Sequence, residues 1–208
     1  MSLSADLIEL GQPLLDEQLR HPTVAGIRSG TLPEPVFRAW LEQDYLFLLD
    51  YVRVFSKLAW QAPDNHLGML VDLAHATWHD ELDLHRELAA EFSADLGGAR
   101  KNRACSAYTA FLLDAAGNYA EGLSALLPCM WGYSALGQRL AADVPAGSRY
   151  ARWVQTYAAP EFAALAAACA TMLDEAAASR GLSRARAAEL FRAGMDHELA
   201  FWDVAVRP

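Results

Sequence analysis

The chain has 208 residues, 53% of them hydrophobic and 21% charged, which suits one large folded domain and excludes a disordered chain. Its net charge of −9, with no basic cluster, argues against nucleic acid or an anionic membrane as partner and suits a small neutral or cationic ligand. The three cysteines, Cys105, Cys129 and Cys169, are widely spaced and form no C-x-x-C pair, so neither a disulfide frame nor a zinc site is indicated.

The predicted elements run as follows. Residues 4–20 read as a helix, with Ser4 as its cap and Leu7, Ile8, Leu14, Leu15 and Leu19 as a rough apolar stripe. His21-Pro22 ends it, and 26–30 reads as a loop. Thr31-Leu32-Pro33-Glu34 opens a second helix that runs to Gln61, before Ala62-Pro63. Its apolar residues nearly encircle it, which predicts a central position, yet Asp44 and Asp50 lie within it. A carboxylate there is costly unless it is hydrogen-bonded or faces a ligand. Asn65 caps a helix over 66–93, rich in His, Asp and Glu. Helices over 105–116 and 119–141 follow, then one over 149–176 that Pro160 should kink, and one over 184–204. Alternating β-branched runs are absent, so the class is all-α with about seven helices in a single domain over 1–208. No signal peptide is read in residues 1–20, which carry Asp6, Glu9, Asp16 and Glu17, and the most apolar runs fall short of the roughly 18 residues a bilayer span needs. A cytoplasmic protein without a membrane partner is expected.

Several side chains are candidates for chemistry. Pro128 and Cys129 sit together inside an apolar helical run, with Tyr133 one turn on. The proline removes a backbone donor, and a thiol beside loosened backbone could meet a ligand. A packed core cysteine is the commoner reading of the same residues. Glu198 is followed by Phe201 and Trp202, and a carboxyl in apolar surroundings keeps its proton to higher pH and can act as a general acid. Its bland alternative is a place at the edge of the stripe, reaching water. The histidine-carboxylate helix has no E-x-x-H pair and no H-E-x-x-H, so a di-iron site or a zinc protease site is unsupported. A solvated charged face is its better reading, and no histidine stands alone on an apolar face clearly enough to mark a haem ligand.

Taken in order, the motifs resemble the thiaminase II (TenA) family. They are His21-Pro22, Gly30-Thr31-Leu32-Pro33, Gln43-Asp44, Leu84-His85-Arg86-Glu87, Gly117-Asn118-Tyr119-Ala120-Glu121, Ala125-Leu126-Leu127-Pro128-Cys129-x-Trp131-x-Tyr133, Trp153-x-x-x-Tyr157 and Glu198-x-x-Phe201-Trp202. The resemblance implies a haem-oxygenase-like bundle with no cofactor and no metal, assembled as a homotetramer. It implies hydrolysis of an aminopyrimidine C–N bond, with 4-amino-5-aminomethyl-2-methylpyrimidine as typical substrate and thiamine as a slower one. Carried over by position, Cys129 is the nucleophile and Glu198 the acid/base. Asp44 binds the pyrimidine, and Phe47, Tyr108, Tyr133 and Tyr157 complete the binding pocket. Tyr133 would support the thiol, and Tyr157 would pair with Glu198. Phe47 stands where many members carry tyrosine, so one hydroxyl is missing and a lower kcat with binding largely kept is expected. Two competing functions share this pattern: an oxidase like the pyrroloquinoline-quinone synthases, and a binding protein that has lost catalysis.

Overall fold

The computed structural model describes residues 2–203, and every regular element among them is helical. In chain order these are α1 (Leu3–Arg20), α2 (Pro22–Ser29), α3 (Glu34–Gln61), α4 (Asp64–Ala76), a π-helical turn (Thr77–Glu81), α5 (Leu82–Phe92), α6 (Arg103–Ala115), α7 (Tyr119–Ala141), α8 (Ala151–Ala158), α9 (Pro160–Arg180) and α10 (Arg184–Trp202).

Two inner helices organise the bundle. In α3 the buried side chains Phe37, Trp40, Leu41, Asp44, Phe47, Leu48, Tyr51, Val54, Phe55 and Leu58 recur every three or four residues, so one continuous stripe faces inward. In α7 the buried residues run nearly all round the helix. Helices α4, α5 and α6 pack against α3, while α8, α9 and α10 pack against α7. All share one hydrophobic core, in which Trp40 stacks on Trp202 with Trp153 edge-on to both. The surface between α3 and α7 is where their polar residues meet.

The expected all-α class holds, but the helix count is corrected. Counting α4, the π turn and α5 as one continuous helix, the described residues form nine helices where about seven were expected. One addition is α2, which occupies most of the predicted loop and ends at Gly30 with φ +72°, a left-handed cap that glycine adopts without strain. The other comes from Pro160. Ala159 before it is extended (φ −62°, ψ 140°), so the chain breaks and restarts with the proline in the first turn of α9. Ser2, not Ser4, caps α1; Ser4 instead hydrogen-bonds Asp174 on α9. The predicted last residue of the final helix, Val204, lies outside the described residues. By length and composition α9 is apolar enough to cross a bilayer, but its Ala166, Cys169, Met172 and Leu173 are buried in the bundle.

Candidate active site

The inward stripe of α3 sets Asp44, Phe47, Leu48 and Tyr51 opposite Cys129, Met130 and Tyr133 of α7. Glu81 from the π turn, Tyr157 from α8 and Phe162 from α9 close the space between them. The cavity has a volume of about 10 Å³, room for one water. Outside it lies a groove of about 520 Å³ between the α4–α5 helix and α8–α9. Glu81 and Phe162 line both spaces and form the partition between them.

Of the side chains expected at the site, Cys129, Asp44, Phe47, Tyr133 and Tyr157 form the cavity wall. Tyr108 and Glu198 stand behind it. Tyr108 packs on the Phe47 ring (centroids 4.9 Å apart) and its hydroxyl donates to Glu198 Oε1 at 2.5 Å. Two expected pairings are corrected. Tyr157 donates to Glu81 Oε2 at 3.4 Å, and the hydroxyl on Glu198 is that of Tyr108. The hydroxyl that bears on the thiol is that of Tyr51 rather than Tyr133; it is buried, faces Cys129 and has no hydrogen-bond partner of good geometry among the described residues.

Burial dominates the electrostatics. It pushes the Cys129 thiol well above its ordinary value, and the nearby Glu198 carboxyl pushes the same way. Glu198 is only 2% exposed, and its burial carries the carboxyl up to about 8, against the hydrogen bond from Tyr108. Both groups therefore hold their protons at neutral pH. Glu81 is carried up to about 7 by burial, with the opposing charge of His85 limiting the rise.

His85, Glu81 and Tyr51 are the members that sequence reasoning missed. His85 is wholly buried. One ring nitrogen donates to the Glu81 carbonyl at 2.7 Å and the other to Asp44 Oδ2 at 2.6 Å. Burial disfavours its charge, but the Asp44 hydrogen bond and charge outweigh this and raise its pKa, so an imidazolium clamps the Asp44 carboxylate. The solvated charged face expected for this helix is thus corrected: its outer side is charged, but its inner side carries a structural ion pair. A signal was present, since Leu82, His85, Leu88, Ala89 and Phe92 fall on one helical stripe and four of the five are apolar. Among the described residues no group of three or more His, Cys, Asp or Glu is placed to hold a metal ion.

The described residues thus form an all-α bundle that buries a thiol, a proton-holding carboxyl, a clamped carboxylate and a ring of aromatics around one small cavity. The TENA/THI-4/PQQC family profile matches residues 11–207, and the chain belongs to that family. It is 35% identical to an aminopyrimidine aminohydrolase of Halalkalibacterium halodurans, over 99% of this chain and 96% of that one. It is 34% identical to an aminopyrimidine aminohydrolase of Bacillus subtilis, over 90% of this chain and 82% of that one. Among solved structures, a TenA homologue from P. horikoshii superposes with a TM-score of 0.88 at 27% identity, covering 99% of this chain and 98% of the other.

Proposed function

We propose that this protein is a hydrolase that cleaves the exocyclic C–N bond of 4-amino-5-aminomethyl-2-methylpyrimidine to give the 5-hydroxymethyl compound, a thiamine-salvage step, and that thiamine is a second substrate. The names of the curated relatives support the reaction class. The observation that carries the assignment of roles is the Cys129 thiol beside the proton-holding Glu198, across a small aromatic-walled cavity from Asp44.

The ring is held flat between aromatic walls, and Asp44 accepts from its amino group, its carboxylate fixed by His85. Cys129 is not ionised at rest, so its proton must leave as the new bond forms. Glu198 can take the thiol's proton as it gives its own to the departing amine. The sulfur adds to the ring carbon next to the one bearing the methylene. The displaced π electrons form an exocyclic double bond, and the C–N bond breaks to release ammonia. Water then adds to the methylene, the ring regains aromaticity, and sulfur departs with its proton restored. Tyr108 orients Glu198 throughout. A cytoplasmic homotetramer completes the proposal; an exposed apolar stripe on α4 supports self-association.

The test is ammonia release from the aminomethyl pyrimidine, run beside thiamine cleavage. Wild type should release one ammonia per hydroxymethyl product, and Cys129→Ser should lose at least about a hundredfold in kcat. Unchanged turnover by Cys129→Ser would remove the nucleophile assignment.

A further inference from the structure

Glu81 has no part in the chemistry so far, yet it is the carboxylate that lines both the cavity and the outer groove. Its setting is built rather than incidental. The π turn opens the helix at Thr77–Glu81, the Leu82 N–H closes back on the Thr77 carbonyl, and the Glu81 carbonyl is held by the buried His85 ring. Tyr157 and Thr77 both donate to its carboxyl group, each at 3.4 Å.

The proposed substrate carries a primary amine, which in neutral water is a cation. The relay through Glu198 needs that amine without its extra proton, because the nitrogen must accept one as it leaves. A group at the cavity mouth that takes a proton from each arriving ammonium supplies the amine in that form. We propose that Glu81 is a second acid/base group of the site: its carboxylate takes the proton of the incoming ammonium, and its carboxyl returns a proton to the ammonia going out. This rests on the aminopyrimidine reading. The balance closes. On arrival R–NH3+ and the carboxylate give R–NH2 and the carboxyl; on departure NH3 and the carboxyl give NH4+ and the carboxylate. No oxidant or further reactant is needed.

The surroundings suit the task. The groups facing Glu81 are Asp44 and Tyr51 from α3, His85 from α5, Cys129 from α7 and Tyr157 from α8. Burial and Asp44 push the Glu81 proton affinity up and His85 pulls it down, leaving it near 7, where one group can take and give a proton in each turnover. In the groove Asp80, Asp83, Glu87 and Glu161 outnumber Arg152 and His79, so the field outside the mouth draws cations in.

The test compares kcat/KM for the aminomethyl pyrimidine in wild type and Glu81→Gln as a ratio at each pH, so that titrations common to both cancel. Near neutrality the variant should be roughly 10- to 100-fold slower. The gap should close toward unity near about pH 10, where the free amine arrives without help. Glu81→Asp should recover part of the neutral-pH rate, which also covers the case in which Glu81→Gln does not fold. A constant ratio across pH, or no deficit at neutrality in an active Glu81→Gln, overturns the proposal while leaving the hydrolase reading intact. Absence of ammonia release by wild type removes the hydrolase reading and this inference with it.

Discussion

At the scale of single residues, three buried acids share a direction. His85 is raised above its ordinary value, Glu81 is carried to about 7 and Glu198 to about 8. Each binds its proton more tightly folded than unfolded, where a glutamate releases it near 4.5. Linkage then fixes the sign: their stabilisation is complete below the unfolded values and is lost as pH rises through the folded ones. The melting temperature should fall from about pH 5 to about pH 8, by several degrees at least. Glu198→Gln, which keeps the shape without the proton, should flatten part of that slope. Thermal scans across this range check it, and a melting temperature that rises toward about pH 8 would mean that these groups titrate from outside the core. Asp44 is odd against its apolar helix, whereas Cys129 reads as a core cysteine until the family resemblance singles it out. His85 shows in the sequence only as a member of the apolar stripe of α5; the carboxylate that explains it is 41 residues away. A single strand of text shows the local acids around it and hides the distant one.

At the scale of elements, the approach of α10 to α7 is set by a glycine. A Cβ at Gly194 would lie 2.7 Å from Pro128 Cγ and 3.0 Å from the Ala125 carbonyl. Gly194 is one turn before Glu198, and Pro128 is next to Cys129, so this contact fixes how near carboxyl and thiol come. Gly194→Ala should destabilise by about 1–3 kcal/mol through overpacking, despite the better helix propensity of alanine. It should also lower kcat, by moving Glu198 from Cys129. Gly132, on the same α7, is the control: nothing lies within 4 Å of its added Cβ. Gly132→Ala should be stabilising by about 0.5–1 kcal/mol. Denaturant midpoints separate the two, and equal shifts in one direction would show that packing does not decide. The proline of this contact was visible in sequence as an odd residue in a helix, but its partner was not. Helix–helix contacts join residues far apart in the chain, and Gly194 has no side chain to mark its role. The sequence marks Pro160 only as a kink, since a proline tells where a helix is interrupted but not how far the next one turns away.

At the scale of the whole molecule, the outer side of α4 and the π turn that follows it is unusual. Leu67, Val71 and Trp78 lie along one stripe at 42, 53 and 45% exposure, and Trp60 at the end of α3 is 90% exposed. Apolar area of this kind is covered when copies associate. Leu67→Glu with Val71→Glu should shift the mass in light scattering toward smaller species without unfolding the chain. An unchanged mass would place any interface elsewhere. The class of the fold was readable from sequence because helical periodicity is local. This stripe was not singled out, because exposed and buried leucines look alike until the core is known. The near-closed cavity has a consequence in time. On the aminopyrimidine reading the ligand is larger than the roughly 10 Å³ the cavity offers, so Glu81 and Phe162 must move aside before it binds. The observed association rate should therefore level off as ligand concentration rises, at the frequency with which the partition opens. If it stands open one part in a hundred, affinity is about a hundredfold weaker than the contacts allow. A tight inhibitor of this protein would be slow to arrive and slow to leave.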